Sequence, residues 1–194
     1  SGFRMNTGGA HLILGIQPDI AVFSKALGNG YAIAAIIGKP HIMDAAQKTF
    51  ISSTNWTERI GPTAAIAMIK KHKKYNVGSH LMKIGQMVQD GWSMISKKHN
   101  LPIQIGGIPP LSHFTFEHDK ALILKALFIQ YMLKQGFLAS NIFYAMFAHT
   151  EEHVHKYIEA ADKAFAFIRT AIDSGAPEKY LLGEPSTAGF KRLN

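Results

Sequence analysis

The sequence contains no cysteine among its 194 residues. Disulfide bridges, zinc sites built from thiolates and cysteine nucleophiles are therefore excluded together. The sequence also lacks a charged-then-apolar leader at its start, and no apolar run approaches the roughly 18 residues that span a bilayer. We therefore expect a soluble cytoplasmic protein without a membrane partner, although a mature secreted protein would show the same features.

Acidic side chains are few, with 13 Asp and Glu against 21 Lys and Arg, and the formal net charge is +8. Such a balance suits an acidic ligand, a nucleic acid or simply a well-solvated exterior. The densest basic run, residues 70–74, ends a segment of helical periodicity, and cations are favoured at a helix C-terminus. Because no aromatic-rich recognition motif accompanies the run, we interpret it as a solvated helix end and expect no nucleic-acid partner.

Two short apolar runs in the N-terminal third predict strands, at residues 19–23 and 32–38. Continuous apolar runs of this length are typical of strands that are covered on both faces. The segment between them contains Gly28 and Gly30, which supply the unusual backbone angles that a chain reversal needs. Lys25 is therefore predicted at the end of a buried strand, immediately before a turn.

Helical spacing of apolar residues predicts helices over residues 40–48 and from Gly61 to about Lys74. Another apolar stripe of helical period begins after residues 76–79, Asn-Val-Gly-Ser. This break is the predicted boundary between two domains, residues 1–75 and 76–194.

The second domain is predicted to be a small α+β domain. Residues 103–105 and 113–116 alternate as half-buried strands do, and residues 142–145 predict a third strand. A helix over residues 120–134 is stopped by Gly136, and the last long helix is predicted to begin at Thr150, a good N-cap.

Two groups of residues resemble a metal site and a dinucleotide-binding motif, but neither has the full pattern. His149, His153 and His155 lie near one another, but no HExxH pattern or third-ligand motif accompanies them, so we predict no metal site. The segment 28–30, Gly-Asn-Gly, is not a dinucleotide fingerprint, because a third glycine and a following helix are lacking.

Lys25 is the strongest candidate for chemistry. Burial at the mouth of a sheet disfavours the charged form of an amine and leaves it nucleophilic, which suits a residue that binds an aldehyde as a Schiff base. The local pattern alone leaves an ordinary solvated or snorkelling lysine open, because few lysines are catalytic.

Four segments occur together in one order and spacing: residues 1–4 (SGFR), 15–20 (GIQPDI), 23–31 (FSKALGNGY) and 34–38 (AAIIG). On these segments the sequence resembles the class III aminotransferases, which include glutamate-1-semialdehyde aminomutase. Residues 148–152 (AHTEE) resemble the start of the C-terminal helix in aminomutase-like members. The resemblance implies an α/β fold, made of the C-terminal part of the large domain of PLP-dependent transferases (fold type I) and a small α+β domain.

The resemblance also implies roles for two residues. Lys25 occupies the position of the lysine that holds pyridoxal 5'-phosphate as a Schiff base, so it would be both catalytic and cofactor-binding. Registering Pro62 on the family proline brings Thr57 to the threonine that reaches the cofactor phosphate of the neighbouring subunit, which implies a homodimer. Thr54 or Ser53 could take this role instead, and the residues alone leave open that Thr57 merely caps a helix.

The implied activity is transfer of an amino group from a small-molecule donor to a ketone or aldehyde acceptor. The family's acidic partner of the pyridine nitrogen and its N-terminal half lie outside the resemblance, because Ser1 follows directly after that point. Two alternatives stay open: an aminomutase that moves an amino group within one substrate, and a chain that folds or dimerises without holding the cofactor.

Overall fold

The computed structural model describes residues 2–185. The chain divides into two compact units, residues 1–80 and residues 81 onward, and the predicted domain boundary at residues 75–76 stays a prediction. Within the described range no helix combines the length and the apolar character needed to cross a membrane.

The first unit combines a two-stranded antiparallel ladder with short helices. Strands β1 (Ile20–Phe23) and β2 (Ala35–Gly38) pair so that Ile20 lies opposite Gly38 and Phe23 opposite Ala35. The helices are α1 (Gly2–Met5), α2 (His11–Leu14), α3 (Pro40–Met43) and α4 (Ile60–Lys74), with 3₁₀ turns at Lys25–Leu27 and Asp44–Lys48. The helix predicted from Gly61 to about Lys74 is confirmed, and the one predicted over residues 40–48 is a short α-helix followed by a 3₁₀ turn. The four-residue helices α1 and α2 were not predicted, because one turn is too short to show helical periodicity.

The prediction that both strands are covered on both faces is wrong for this chain. Val22 is 66% exposed and Ile36 is 59% exposed. These two residues lie opposite each other, so one face of the ladder is left to solvent. Phe23 and Ala35 lie on the other face, where they pack against a small core.

The second unit contains a three-stranded antiparallel sheet with strand order β3-β4-β5 and long helices. The strands are β3 (Ile103–Ile108), β4 (Leu111–Phe116) and β5 (Ile142–Tyr144). The helices are α5 (Val77–Lys98), which begins in the first unit, α6 (Ala121–Lys134) and α7 (Glu151–Asp173), and a 3₁₀ turn spans Pro177–Tyr180. These elements confirm the strands and helices predicted between residues 103 and 173.

Helix α7 begins at the predicted N-cap. The Thr150 hydroxyl accepts a hydrogen bond from the His153 backbone N–H at 3.2 Å, and the Thr150 N–H donates to His153 Nδ1 at 3.1 Å. This reciprocal pair is a capping box in which histidine replaces the more common acidic side chain. It satisfies two backbone donors that a helix start would otherwise leave unpaired.

Aromatic rings fill the core of the second unit. The fully buried Phe114 on β4 lies 4.9 Å from the Trp92 ring, 5.2 Å from Phe128 and 5.9 Å from Phe165, measured between centroids. These distances are in the favourable range for edge-to-face and tilted aromatic pairs. Helix α5 approaches the β3–β4 turn so closely that a Cβ on Gly85 would lie 1.8 Å from the Pro109 carbonyl oxygen.

We predict that Gly85→Ala destabilises the second unit by about 1–3 kcal/mol or more, because the added methyl overlaps backbone that cannot rotate away. Urea unfolding followed by tryptophan fluorescence measures the change, because Trp92 is buried in this unit whereas Trp56, the other tryptophan, is already exposed. Gly183→Ala is the matched control, because a Cβ there meets no atom within 4 Å. Equal unfolding midpoints for both variants would contradict the packing described here.

Candidate functional site

Lys25 begins the turn that follows β1. Ser24 is still extended, with φ −153° and ψ −161°, and the next three residues form one turn of 3₁₀ helix. The Leu27 N–H donates to the Ser24 carbonyl at 3.1 Å, and the Gly28 N–H donates to the Lys25 carbonyl at 3.2 Å. Strand and turn together fix the point at which the Lys25 side chain leaves the ladder.

The backbone of Lys25 has a left-handed conformation, with φ 49°. Four non-glycine residues between positions 2 and 185 have a positive φ, and the other three are asparagines: Asn29, Asn76 and Asn100. Asparagine visits this region readily because its short side chain can hydrogen-bond locally, whereas other L-residues incur a cost of roughly 1–2 kcal/mol. Such strain persists only where the surrounding structure imposes it, and strained residues cluster at functional sites.

Two glycines shape the turn for different reasons. Gly30 has φ 110°, which residues with a side chain rarely adopt. Gly28 has an ordinary φ of −90°, but a Cβ there would lie 2.2 Å from the Tyr31 carbonyl oxygen. The prediction that both glycines supply unusual angles is therefore confirmed for Gly30 and wrong for Gly28, where the close approach of the backbone excludes a side chain.

The Lys25 side chain is exposed beside an open depression of about 460 Å³. The depression is lined by Lys25, Gly30, Tyr31, Ala32 and Ile33. The predicted burial of Lys25 is wrong for this chain, because the ladder that carries it is itself exposed on one face. The amine is therefore open to a ligand that enters from solvent.

A small apolar core supports the turn from below. Leu27 is buried together with Phe3 and Ala65, and Phe23 and Ile33 pack against these three residues. The rings of Phe3 and Phe23 are 5.6 Å apart. The position of the Lys25 turn thus depends on residues from α1 and α4, which are distant in sequence.

Thr57 lies in an exposed segment before α4. The N-cap of α4 is Arg59, and no side chain caps this helix, so the alternative that Thr57 is a capping hydroxyl is wrong. Thr57 does not line the depression beside Lys25. The two predicted site residues therefore do not share a pocket in the single chain, and Thr54 and Ser53 lie in the same exposed segment as Thr57.

His72 is a buried residue that the sequence interpretation assigned to a solvated helix end. It is only 7% exposed, whereas the lysines around it are exposed as predicted. Its Nε2 lies 2.7 Å from the Phe3 carbonyl oxygen and its Nδ1 lies 2.6 Å from the Thr7 hydroxyl oxygen. The spacing of Ala65, Met68 and His72 places all three on one face of α4, which is the signal that could have revealed the burial.

Two histidines near the start of α7, His149 and His153, accept hydrogen bonds from backbone N–H groups. Nδ1 of His149 accepts the Met146 N–H at 3.2 Å, and Nδ1 of His153 accepts the Thr150 N–H. Both histidines line an apolar cavity of about 500 Å³ together with residues of β5 and the segment before it. Within residues 2–185 no three side chains of the metal-binding types converge.

A family model described as "Aminotransferase class-III" matches residues 2–165. The chain belongs to the class III aminotransferase family. The resemblance stated from the four N-terminal segments is thereby confirmed, and the match extends it through the aromatic core of the second unit.

Two curated relatives illustrate the range of this family. The 3-aminobutyryl-CoA aminotransferase of Cloacimonas acidaminovorans is 30% identical over 177 residues, which cover 87% of this chain and 42% of that protein. The glutamate-1-semialdehyde 2,1-aminomutase of Nitrosopumilus maritimus is 31% identical over 191 residues, which cover 87% of this chain and 44% of that protein. The chain thus spans less than half the length of the curated relatives that it matches.

Solved structures confirm the predicted fold. The FumI protein of Sphingopyxis sp. MTA144, described in its PLP internal aldimine form, superposes with a TM-score of 0.82 at 26% identity over 89% of this chain and 42% of that chain. A transaminase described with PLP bound gives a TM-score of 0.73 at 19% identity. The class III chain therefore has the fold of the C-terminal part of a PLP-dependent transferase of fold type I.

The left-handed backbone of Lys25 makes a prediction that does not depend on any ligand. We expect Lys25→Gly to be about 1 kcal/mol more stable than Lys25→Ala, because glycine adopts a positive φ without a Cβ penalty. The exposed Lys48, whose φ is not positive, is the matched control, and there glycine should be the less stable of the pair. Urea unfolding measures both differences, and the same order at both positions would contradict the assigned conformation.

Proposed function

We propose that this class III chain is part of a pyridoxal-phosphate-dependent aminotransferase in which Lys25 binds the cofactor. The main support is the backbone of Lys25, which is the one lysine with a positive φ among residues 2–185. Strain at a nucleophilic side chain, in a family of aminotransferases, favours a chemical role over a structural one. The exposure of the amine beside an open depression supports access by an aldehyde.

The surroundings of Lys25 leave open space for a cofactor ring. Gly28 and Gly30 carry no side chain, and Tyr31 and Ile33 line the depression of about 460 Å³ beside the lysine. When bound, pyridoxal phosphate supplies a ring that draws electrons from the substrate carbon and stabilises the charge that develops there.

The Lys25 amine would perform two tasks. Its Nζ would condense with the cofactor aldehyde, releasing the carbonyl oxygen as water, and so hold the cofactor covalently. After an incoming amine has displaced it, the same Nζ would carry a proton from one carbon to another as a general base and then a general acid. A flexible lysine side chain anchored on a fixed backbone suits both tasks, because the amine must move while its origin stays in place.

Borohydride trapping tests this assignment. The complete protein encoded by the gene is mixed with pyridoxal phosphate, reduced and digested, and the modified lysine is located by mass spectrometry. We expect the adduct on Lys25 in the wild-type protein and its loss in Lys25→Ala, because a reducible bond requires a primary amine. Lys48→Ala is the control and should keep the adduct. A wild-type level of adduct at another lysine in Lys25→Ala would rule the assignment out.

We further propose a homodimer in which Thr57 of one subunit contacts the cofactor phosphate held by the other. The exposed segment around Thr57 carries large apolar side chains, with Phe50 95% exposed, Trp56 65% exposed and Ile51 53% exposed. An apolar group of this size in a polar protein surface is typical of an interface. The position of Thr57 away from the Lys25 depression suits a residue that acts on a second subunit.

The Thr57 proposal predicts a loss of cofactor affinity in Thr57→Val, which keeps the shape of the side chain and removes the hydroxyl. We expect a rise of about ten- to a hundredfold in the dissociation constant of pyridoxal phosphate, because a hydrogen bond to a charged group contributes roughly 1.5–3 kcal/mol. Equilibrium dialysis measures it, with Thr54→Val and Ser53→Ala as the variants that decide between neighbouring hydroxyls. An unchanged constant in Thr57→Val with a loss in either of the others would move the role to that residue.

Mixing variants tests whether the site is shared between subunits. Unfolding and refolding Lys25→Ala together with Thr57→Val gives mixed dimers in which one of the two sites has both residues intact, so about a quarter of all sites should recover full affinity. If Lys25 and Thr57 act within one subunit, every site keeps one defect and no such recovery occurs.

The aminomutase alternative has support of its own. The aminomutase of Nitrosopumilus maritimus and the aminotransferase of Cloacimonas acidaminovorans share nearly the same identity with this chain, 31% and 30%. Both activities use one amino group and one carbonyl, and they differ in whether these groups sit on one molecule or two. An assay of whether turnover needs a second substrate separates them, and turnover of one substrate alone would favour the aminomutase.

The 194-residue chain could also fold without holding the cofactor. Its coverage of less than half of its relatives and the openness of the Lys25 depression support this alternative for the isolated chain. Adding pyridoxal phosphate to the isolated chain and repeating the trapping decides it, since a partly enclosed pocket should bind weakly.

A further inference from the structure

His72 is a buried residue of the first unit that makes polar contacts as well as filling space. Its ring is 7% exposed and both of its nitrogen atoms contact other polar groups. The Phe3 carbonyl can only accept, so Nε2 carries a hydrogen and donates to it at 2.7 Å. In the neutral ring Nδ1 then accepts from the Thr7 hydroxyl at 2.6 Å. The His72 side chain of α4 thus hydrogen-bonds both to Phe3 within α1 and to Thr7 just after it.

Helix α1 needs such support because it has only four residues. A single helical turn is not stable by itself, since its nucleation costs more than its few hydrogen bonds return. The Phe3 and His72 rings pack edge to face at a centroid distance of 6.2 Å, so the aromatic contact adds to the hydrogen bond. His72 therefore fixes both the backbone and the ring of Phe3.

Phe3 passes this constraint to the turn that carries Lys25. It lies in one buried cluster with Leu27, which belongs to the same 3₁₀ turn as Lys25. Its ring also contacts Phe23, the last residue of β1, at 5.6 Å. Phe23 and Leu27, which flank residues 24–26 at either end, thus pack against Phe3.

We infer that His72 is a positioning residue for Lys25, holding Phe3 so that the turn keeps its strained left-handed lysine in place. The inference rests on the proposed function only in the chemical importance that it gives to the position of Lys25. The contacts of His72 themselves involve no cofactor. A leucine at position 72 could fill the space but could not bind the Phe3 carbonyl or the Thr7 hydroxyl. The hydrogen bonds, and not the volume of the ring, would then matter for the turn.

Amide hydrogen exchange of the 194-residue chain tests the inference without a cofactor. The amides of Leu27, Gly28 and Asn29 close the Lys25 turn and report its opening. We expect His72→Leu to speed their exchange by about fivefold or more, since each lost hydrogen bond corresponds to a factor of roughly 2–10. His72→Gln, whose amide can still donate to the Phe3 carbonyl, should recover part of the protection.

Two further variants keep the test decisive. Thr7→Val removes one of the two hydrogen bonds with little change of shape, and it replaces His72→Leu if that variant does not fold. His41→Leu, at an exposed histidine of α3, is the control and should leave the three amides unchanged. Rates within twofold of wild type in both His72→Leu and Thr7→Val would overturn the inference. Equal acceleration throughout α4 would also overturn it, because it would show a purely global loss of stability.

Trapping on the complete protein separates this inference from the proposed function. If the wild-type protein forms the Lys25 adduct, His72→Leu should form it several times more slowly under the same conditions, and an unchanged rate would overturn the positioning role. If the wild-type protein forms no adduct on Lys25, the proposed function fails, while the exchange rates still decide whether His72 holds the turn.

Discussion

The left-handed backbone of Lys25 is kept in place by contacts that come from elsewhere in the first unit. Leu27 anchors the turn in a core with Phe3 and Ala65, and the backbone at Gly28 packs closely against the Tyr31 carbonyl. A lysine with φ 49° would relax to an ordinary conformation if these contacts were absent. The chemistry proposed for this chain therefore depends on packing beneath the lysine as much as on its amine.

In this arrangement the backbone of Lys25 is fixed while its side chain can move. The origin of the Lys25 side chain is fixed by buried neighbours, whereas its amine lies at the open edge of the depression. Binding an aldehyde and moving a proton require an amine that can change position over a few ångströms. A scaffold that fixes only the backbone meets both needs, because side-chain rotamers can change while the core stays packed.

The two units of the chain differ in how completely they enclose themselves. The second unit has a closed aromatic core around Phe114, in which Trp92, Phe128 and Phe165 are fully buried. The first unit has a small core and exposes large apolar side chains on its ladder and on the segment before α4. Exposed apolar surface of this extent is unfavourable in water. The difference therefore supports the proposal that the site is completed by further polypeptide outside this unit.

Local patterns in the sequence determined most of the regular elements. Helical periodicity located α4 and α6, alternation located β3 and β4, and the capping preference of threonine located the start of α7, because each of these signals arises from neighbouring residues. The four segments between residues 1 and 38 identified the family in the same way, since each is a run of neighbouring residues. Thr57 was assigned by register alone, and its role stays a prediction.

The tertiary structure alone decided what depends on contacts between distant segments. Leu27, in the same turn as the left-handed Lys25, is buried against Phe3 and Ala65, and no local pattern records these distant contacts. His72 shows the same limit, because a histidine within a run of lysines reads as solvated until the fold brings Phe3 and Thr7 to its ring. The sequence by itself determined which elements form and which family they belong to, whereas burial, strain and hydrogen-bond partners were decided only when residues far apart in the chain came into contact.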